Sequence, residues 1–174
     1  MSRFRMSWRW AAALLACAAA AACVTPARLE AAGDVHALLI AIRDDDQAAF
    51  DAHVDRQALE NELEAKILAR TQGRDDVTQA LGALLARPLS QLAGATLLQP
   101  DVFRAVAEYY GYRPGTPIPG QFEIAGALHP AGDGRVCAAR REGPCQLTFA
   151  NEGGVWRLVS FDGDISQLRL PGLR

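Results

Sequence analysis

The chain has 174 residues, half of them apolar, with 22% charged and 7% aromatic and a formal net charge of -2. That balance suits one globular domain. It excludes a disordered chain, which combines lower hydrophobicity with higher net charge, and it lacks the basic excess of a nucleic-acid binder.

The N-terminus reads as an export signal over residues 1–22. Arg3, Arg5 and Arg9 form a basic leader, and Trp10 to Ala22 is an uncharged apolar run. That run is shorter than the roughly 20 residues a membrane-spanning helix needs. Two cysteines could receive a lipid after cleavage. Cys23 follows Ala20-Ala21-Ala22 and has the whole apolar run before it, so it is the preferred lipidation residue. Cys17, after Leu14-Leu15-Ala16, is the runner-up. Cleavage without lipidation, or retention as a short anchor, are the alternatives. Acyl chains would hold the domain on a membrane, since each buried methylene adds about 0.8 kcal/mol. Val24 follows Cys23 where an acidic residue would signal inner-membrane retention, so the outer membrane is expected. Removing the leader discards three arginines and no acid, leaving a mature chain of net charge -5 with Lys66 its only lysine.

A tether over residues 23–28 then leads into a single domain over 29–164, with helices in 29–111 and strands in 122–161. Leu29, Ala32, His36, Leu39 and Ile42 recur at helical spacing. Asp44-Asp45-Asp46 ends that helix and caps a short one containing Phe50 and Val54. Asp55 is the N-cap of a third helix, striped by Leu59, Leu63, Ile67 and Leu68 and ended by Gly73. Asp75 or Asp76 opens a fourth, with Val77, Leu81, Leu84 and Leu85 inward and Pro88 breaking or kinking it. Pro100 opens a fifth, with Val102, Phe103, Val106, Tyr109 and Tyr110 inward and Gly111 as its C-cap. A linker follows at Pro114, Gly115, Pro117, Pro119 and Gly120. Strand chemistry then appears at Phe122–Leu128, Arg135–Ala139, Gln146–Ala150 and Val155–Phe161, separated by glycine turns. The last strand is apolar on both faces, which predicts a central place or a curved sheet. The expected fold is α+β: N-terminal helices packed on a C-terminal antiparallel meander of three to four strands, of which cystatin-like and NTF2-like domains are examples. The tail, 165–174, alternates apolar and basic residues.

In an exported chain, Cys137 and Cys145 are an even pair flanking a Gly143-Pro144 turn, so they are expected to close a hairpin as a disulfide. Their spacing matches neither a redox C-x-x-C nor a zinc site.

Three blocks carry a family resemblance. They are Ala41-Ile42-Arg43-Asp44-Asp45-Asp46 running on to Val54-Asp55 and Leu59; Leu97-Leu98-Gln99-Pro100-Asp101-Val102-Phe103; and Leu147-Thr148-Phe149 with Trp156-Arg157-Leu158-Val159. In this order they resemble the proteobacterial domain-of-unknown-function 2939 family of small exported or membrane-anchored proteins, over roughly residues 35 to 161. The resemblance implies an envelope location and carries over no functional residues.

Catalytic and metal signatures are not read in this sequence. The acids from Asp44 to Asp55 place Ala49 and Asp55 where a calcium loop needs glycine and glutamate. His36, His53 and His129 sit in no ligand motif, and no serine sits in a nucleophile motif. No catalytic residue, metal or cofactor is therefore expected. Tyr109, Tyr110 and Tyr112 with Arg113 are the candidate ligand contacts, since aromatic rings beside a guanidinium suit an anionic ligand. Arg140-Arg141 is a second candidate anion or partner contact. The function expected is an uncharacterised cell-envelope lipoprotein. It would be tethered to the membrane through its lipid and serve as a non-catalytic module for an envelope protein or small ligand in the periplasm. The alternatives are a small-pocket NTF2-like enzyme or a soluble periplasmic protein without lipid.

Overall fold

A computed structural model describes residues 25–109, 111–139 and 143–162, the side chain of Tyr109 excepted. The expected leader, both lipidation candidates, Tyr110, Arg140-Arg141 and the tail lie outside the described residues.

Among the described residues, six helices precede a four-stranded sheet. They are α1 (Pro26–Asp44), α2 (Gln47–Ala52), α3 (Arg56–Thr71), α4 (Asp76–Leu97), α5 (Pro100–Tyr109) and α6 (Gln121–Ala127). The strands are β1 (Leu128–Pro130), β2 (Arg135–Ala139), β3 (Cys145–Glu152) and β4 (Val155–Phe161), paired antiparallel in chain order. The α+β meander expected from the sequence is the fold.

Aspartates set the helix starts. Asp46, Asp55 and Asp75 each accept a hydrogen bond from the backbone N–H three residues on, at 3.0 Å, which satisfies an otherwise orphaned donor. α1 begins at Pro26, inside the expected tether, because proline suits a first helical turn. Gly111 ends α5 in the left-handed region, φ 98°, and Tyr112 donates back to the Ala107 carbonyl.

Several elements depart from the sequence expectation. Residues 121–127 form helix α6, not a strand. The Glu123 carboxylate accepts the Gly120 N–H at 3.0 Å and fixes the helix start, while Ile124 and Ala125 are buried against α1. Pro88 does not end α4, which runs unbroken to Leu97. One missing N–H is tolerated there among leucines and alanines, which are strong helix formers. The inward face of α4 is also reversed. Gly82, Ala86, Ser90 and Gly94 are buried, while Val77, Leu81, Leu84 and Leu85 are exposed. The core face of α1 is rotated too: Ala31, Ala32, Val35, Leu38 and Ala41 are buried and Leu29 is exposed.

The core lies between α1 and the sheet. Val35 and Leu38 meet Phe50, Leu59, Ile124, Leu128, Phe149, Trp156 and Leu158. Phe50 is fully buried and edge-on to Phe103, ring centres 5.1 Å apart. Cys137 and Cys145 are disulfide-bonded across the β2–β3 hairpin. Closing so short a loop contributes roughly 2.5 kcal/mol in the chain-entropy account.

β4 is an edge strand, not a central one. Its open edge is covered by other elements. Asp34 of α1 accepts the Trp156 N–H at 2.8 Å, and Glu62 of α3 accepts the Phe161 N–H at 3.2 Å. Between them Leu158 donates to the His53 carbonyl and accepts from the Asp55 N–H, a parallel bridge centred on Val54. An edge whose donors are taken cannot template another strand. Among the described residues no single helix is long and apolar enough to cross a membrane.

Candidate functional site

The tyrosine and arginine candidates do not converge on a cavity. Tyr112 is half-buried, its hydroxyl donating to the Thr116 carbonyl at 3.4 Å, and Arg113 is exposed. They sit in the loop after α5, and neither lines either of the two cavities described below. The Tyr109 side chain and Tyr110 lie outside the description.

The site that the fold does build is a cleft of about 350 Å³ where α3, the C-terminal half of α4, α5 and the end of β4 meet. Its position follows from local rules. The stripe Leu59, Leu63, Ile67 gives α3 one apolar face. The small residues Ala93 and Gly94 let α4 approach that face. The turn at Leu98-Gln99 swings α5 through 76° across the open end. Leu63, Ile67, Leu97, Val102 and Val106 form the walls, and Phe103 joins the cleft to the core through Phe50. Among the described residues the lining includes no Ser, Thr, Cys, His or Tyr.

One polar cluster stands at the rim. Lys66 lies 2.6 Å from Glu62 and 3.2 Å from Asp162, and donates to the Phe161 carbonyl at 2.9 Å. Partial burial works against the ammonium charge, but the hydrogen bonds and charges of Glu62 and Asp162 outweigh it and raise the Lys66 pKa. Arg70, one turn on, also lines the cleft and is exposed. A second cavity, about 380 Å³, lies between α1, α6 and the sheet; it is lined by Val35, Leu39, Ile124, Leu147 and Phe149, with Glu123 the one charge among the described residues.

A histidine and a carboxylate do approach each other elsewhere. His53 Nδ1 is 3.8 Å from Asp34, too far for a hydrogen bond. The other Asp34 oxygen is occupied by Trp156. The pair seals α1 to β4 and lines neither cavity. His36 bonds the Pro119 carbonyl at 2.9 Å, fixing the linker before α6. Of the acidic run, Asp44 pairs with Arg43 and Asp51 with Arg56, while Asp46 and Asp55 cap helix starts.

Sequence reasoning did not single out the cleft. The Glu62–Lys66 spacing, one helical turn with the acid N-terminal to the base, is a visible signal for a surface pair. That it flanks a cleft depends on α5 folding across, which no local pattern encodes. No family model, curated protein or solved structure matches this chain.

Proposed function

We propose that the protein is an exported, lipid-tethered cell-envelope module that binds rather than transforms its ligand, and that the α3–α4–α5 cleft is its binding site. The cleft carries this reading. Its volume of about 350 Å³ falls at the lower end of small-ligand sites, roughly 300–1,000 Å³. Aliphatic walls favour a slender apolar ligand. Lys66 is already held by Glu62 and Asp162, and Glu60 also lines the cleft, so Arg70 is the rim cation that suits an anionic head group. The tether and the envelope location rest on the leader sequence and on the family resemblance.

Two measurements test this. Intact mass of the protein isolated from its membrane is expected to show acyl mass on Cys23; an unmodified Cys23, or acylation at Cys17, overturns that assignment. Titration with a fluorescent medium-chain fatty acid is expected to show saturable binding, weakened at least tenfold by Leu63→Trp, which fills the cleft, and several-fold by Arg70→Gln. Binding unchanged by Leu63→Trp moves the site elsewhere.

A further inference from the structure

α4 carries only two charged residues, Asp76 and Arg87, over its 22 positions. A helix apolar on all sides is ordinarily buried on all sides. Here one side is buried against α3, and among the described residues α4 packs on no other element to a comparable extent. The opposite side presents Val77, Leu81, Leu84, Leu85, Leu89 and Leu92, between 47% and 73% exposed. At 100° per residue these six form one continuous row with Pro88, and both charged residues fall outside it. Such a row reaches or exceeds the few hundred Å² of apolar patch that a monomer ordinarily shows.

The helix cannot turn this row inward. A Cβ at Gly82 would lie 2.5 Å from Thr71 Oγ1, and one at Gly94 would lie 2.5 Å from Glu60 Oε1. Only the small-residue face fits against α3, so the leucines are held outward.

We propose that this face is a homodimer interface, formed by antiparallel packing of α4 on the α4 of a second copy. The row is its own complement. Its midpoint lies between Leu84 and Leu85, so a two-fold axis there sets Leu84 against Leu85, Leu81 against Pro88 and Val77 against Leu92 of the other copy. An uncharged face has no electrostatic complement to seek and suffers no like-charge conflict on meeting itself. Parallel packing would instead bring the Asp75-Asp76 ends of both copies together. The two α3–α4 hairpins would then form a four-helix arrangement with the leucine row as its inner layer. A row about 22 Å long at 1.5 Å per residue, with the flanks of α3, approaches the roughly 800 Å² per partner of a stable pair. A lipid surface fits less well. Helices that lie on membranes carry basic residues along the polar face, and α4 has one arginine on an acidic chain.

Sedimentation of the full chain over a wide concentration range tests the proposal. A dimer is expected, and Leu81→Glu with Leu85→Glu is expected to give a monomer with unchanged circular dichroism and unfolding midpoint. Those positions are exposed in the single copy, so the substitutions leave its fold intact. As a second measurement, Leu84→Cys is expected to form a covalent dimer on mild oxidation, and Arg87→Cys, on the flank, is not. A wild-type monomer overturns the proposal. So does a dimer that the double glutamate variant leaves intact. A monomer that floats with phosphatidylcholine vesicles, and loses this with the same variant, assigns the row to lipid instead.

Discussion

The Asp55 carboxylate holds the Ala58 N–H at the start of α3 while its own backbone N–H donates to Leu158. The same carboxylate faces Glu152 at the end of β3. Desolvation, then the charge and hydrogen bond of Asp55, raise the Glu152 pKa, with Arg157 pulling the other way. A carboxyl whose folded pKa is raised adds stability below its unfolded value and loses it as pH rises through the folded value. Stability is therefore expected to decline with rising pH just above the ordinary carboxylate range, and Glu152→Gln should flatten that segment of the profile. Asp75 acts in the opposite sense. Its bonds from Thr78, first the side chain and then the backbone, lower its pKa, so its contribution is present above the ordinary value and fades as pH falls through the folded one. Asp55→Asn keeps the cap and removes the charge facing Glu152. It should leave stability level or higher at neutral pH, whereas Asp55→Ala should cost about 1 kcal/mol. Urea unfolding across pH distinguishes these outcomes.

The α3–α4 contact depends on what a missing side chain permits. Alanine is the better helix former than glycine by roughly 1 kcal/mol, yet the two glycines of α4 should answer differently. At Gly82 the new methyl meets the short branched Thr71, all three of its nearest atoms within 2.8 Å. At Gly94 it meets the longer, more adaptable Glu60. Gly82→Ala should destabilise by about 1 kcal/mol or more through overpacking, and Gly94→Ala should also destabilise, but by less; thermal unfolding of the pair checks this. At the β4 edge, Asp34→Ala strands the partly buried Trp156 N–H. It should cost about 1–3 kcal/mol and promote self-association through the opened edge, both visible by unfolding and light scattering. These elements also show what local pattern conveys. Caps at Asp46, Asp55 and Asp75, the glycine stop at Gly111 and the cysteine hairpin are short-range chemistry and were legible in the sequence. In α6, Phe122, Ile124 and Leu128 suggest strand alternation, and the Glu123 cap outweighs it. In α4 the leucine pattern points to an inward leucine face, whereas close approach to α3 selects glycine, alanine and serine. The cleft was not legible, since it exists only where three helices cross.

Across the molecule, the helical layer and the sheet are fastened at one long-range junction. His53 and Asp55, in the turn between α2 and α3, share backbone hydrogen bonds with Leu158 of the final strand, about a hundred residues away. Asp34 and Glu62 extend the same seam along β4, and Trp156 and Leu158 fill the core beneath α1. This gives the chain an order of assembly. Helices α1 to α5 emerge first, but their main hydrophobic partner, β4, is the last of the described elements to be made. Contacts of such separation require a long loop to close before any packing compensates for it. The N-terminal half therefore stays pliable until residues 155–161 arrive, and a chain ended at Gly154 should show little amide protection in hydrogen exchange. A polypeptide that postpones its structure in this way remains threadable until β4 has been delivered.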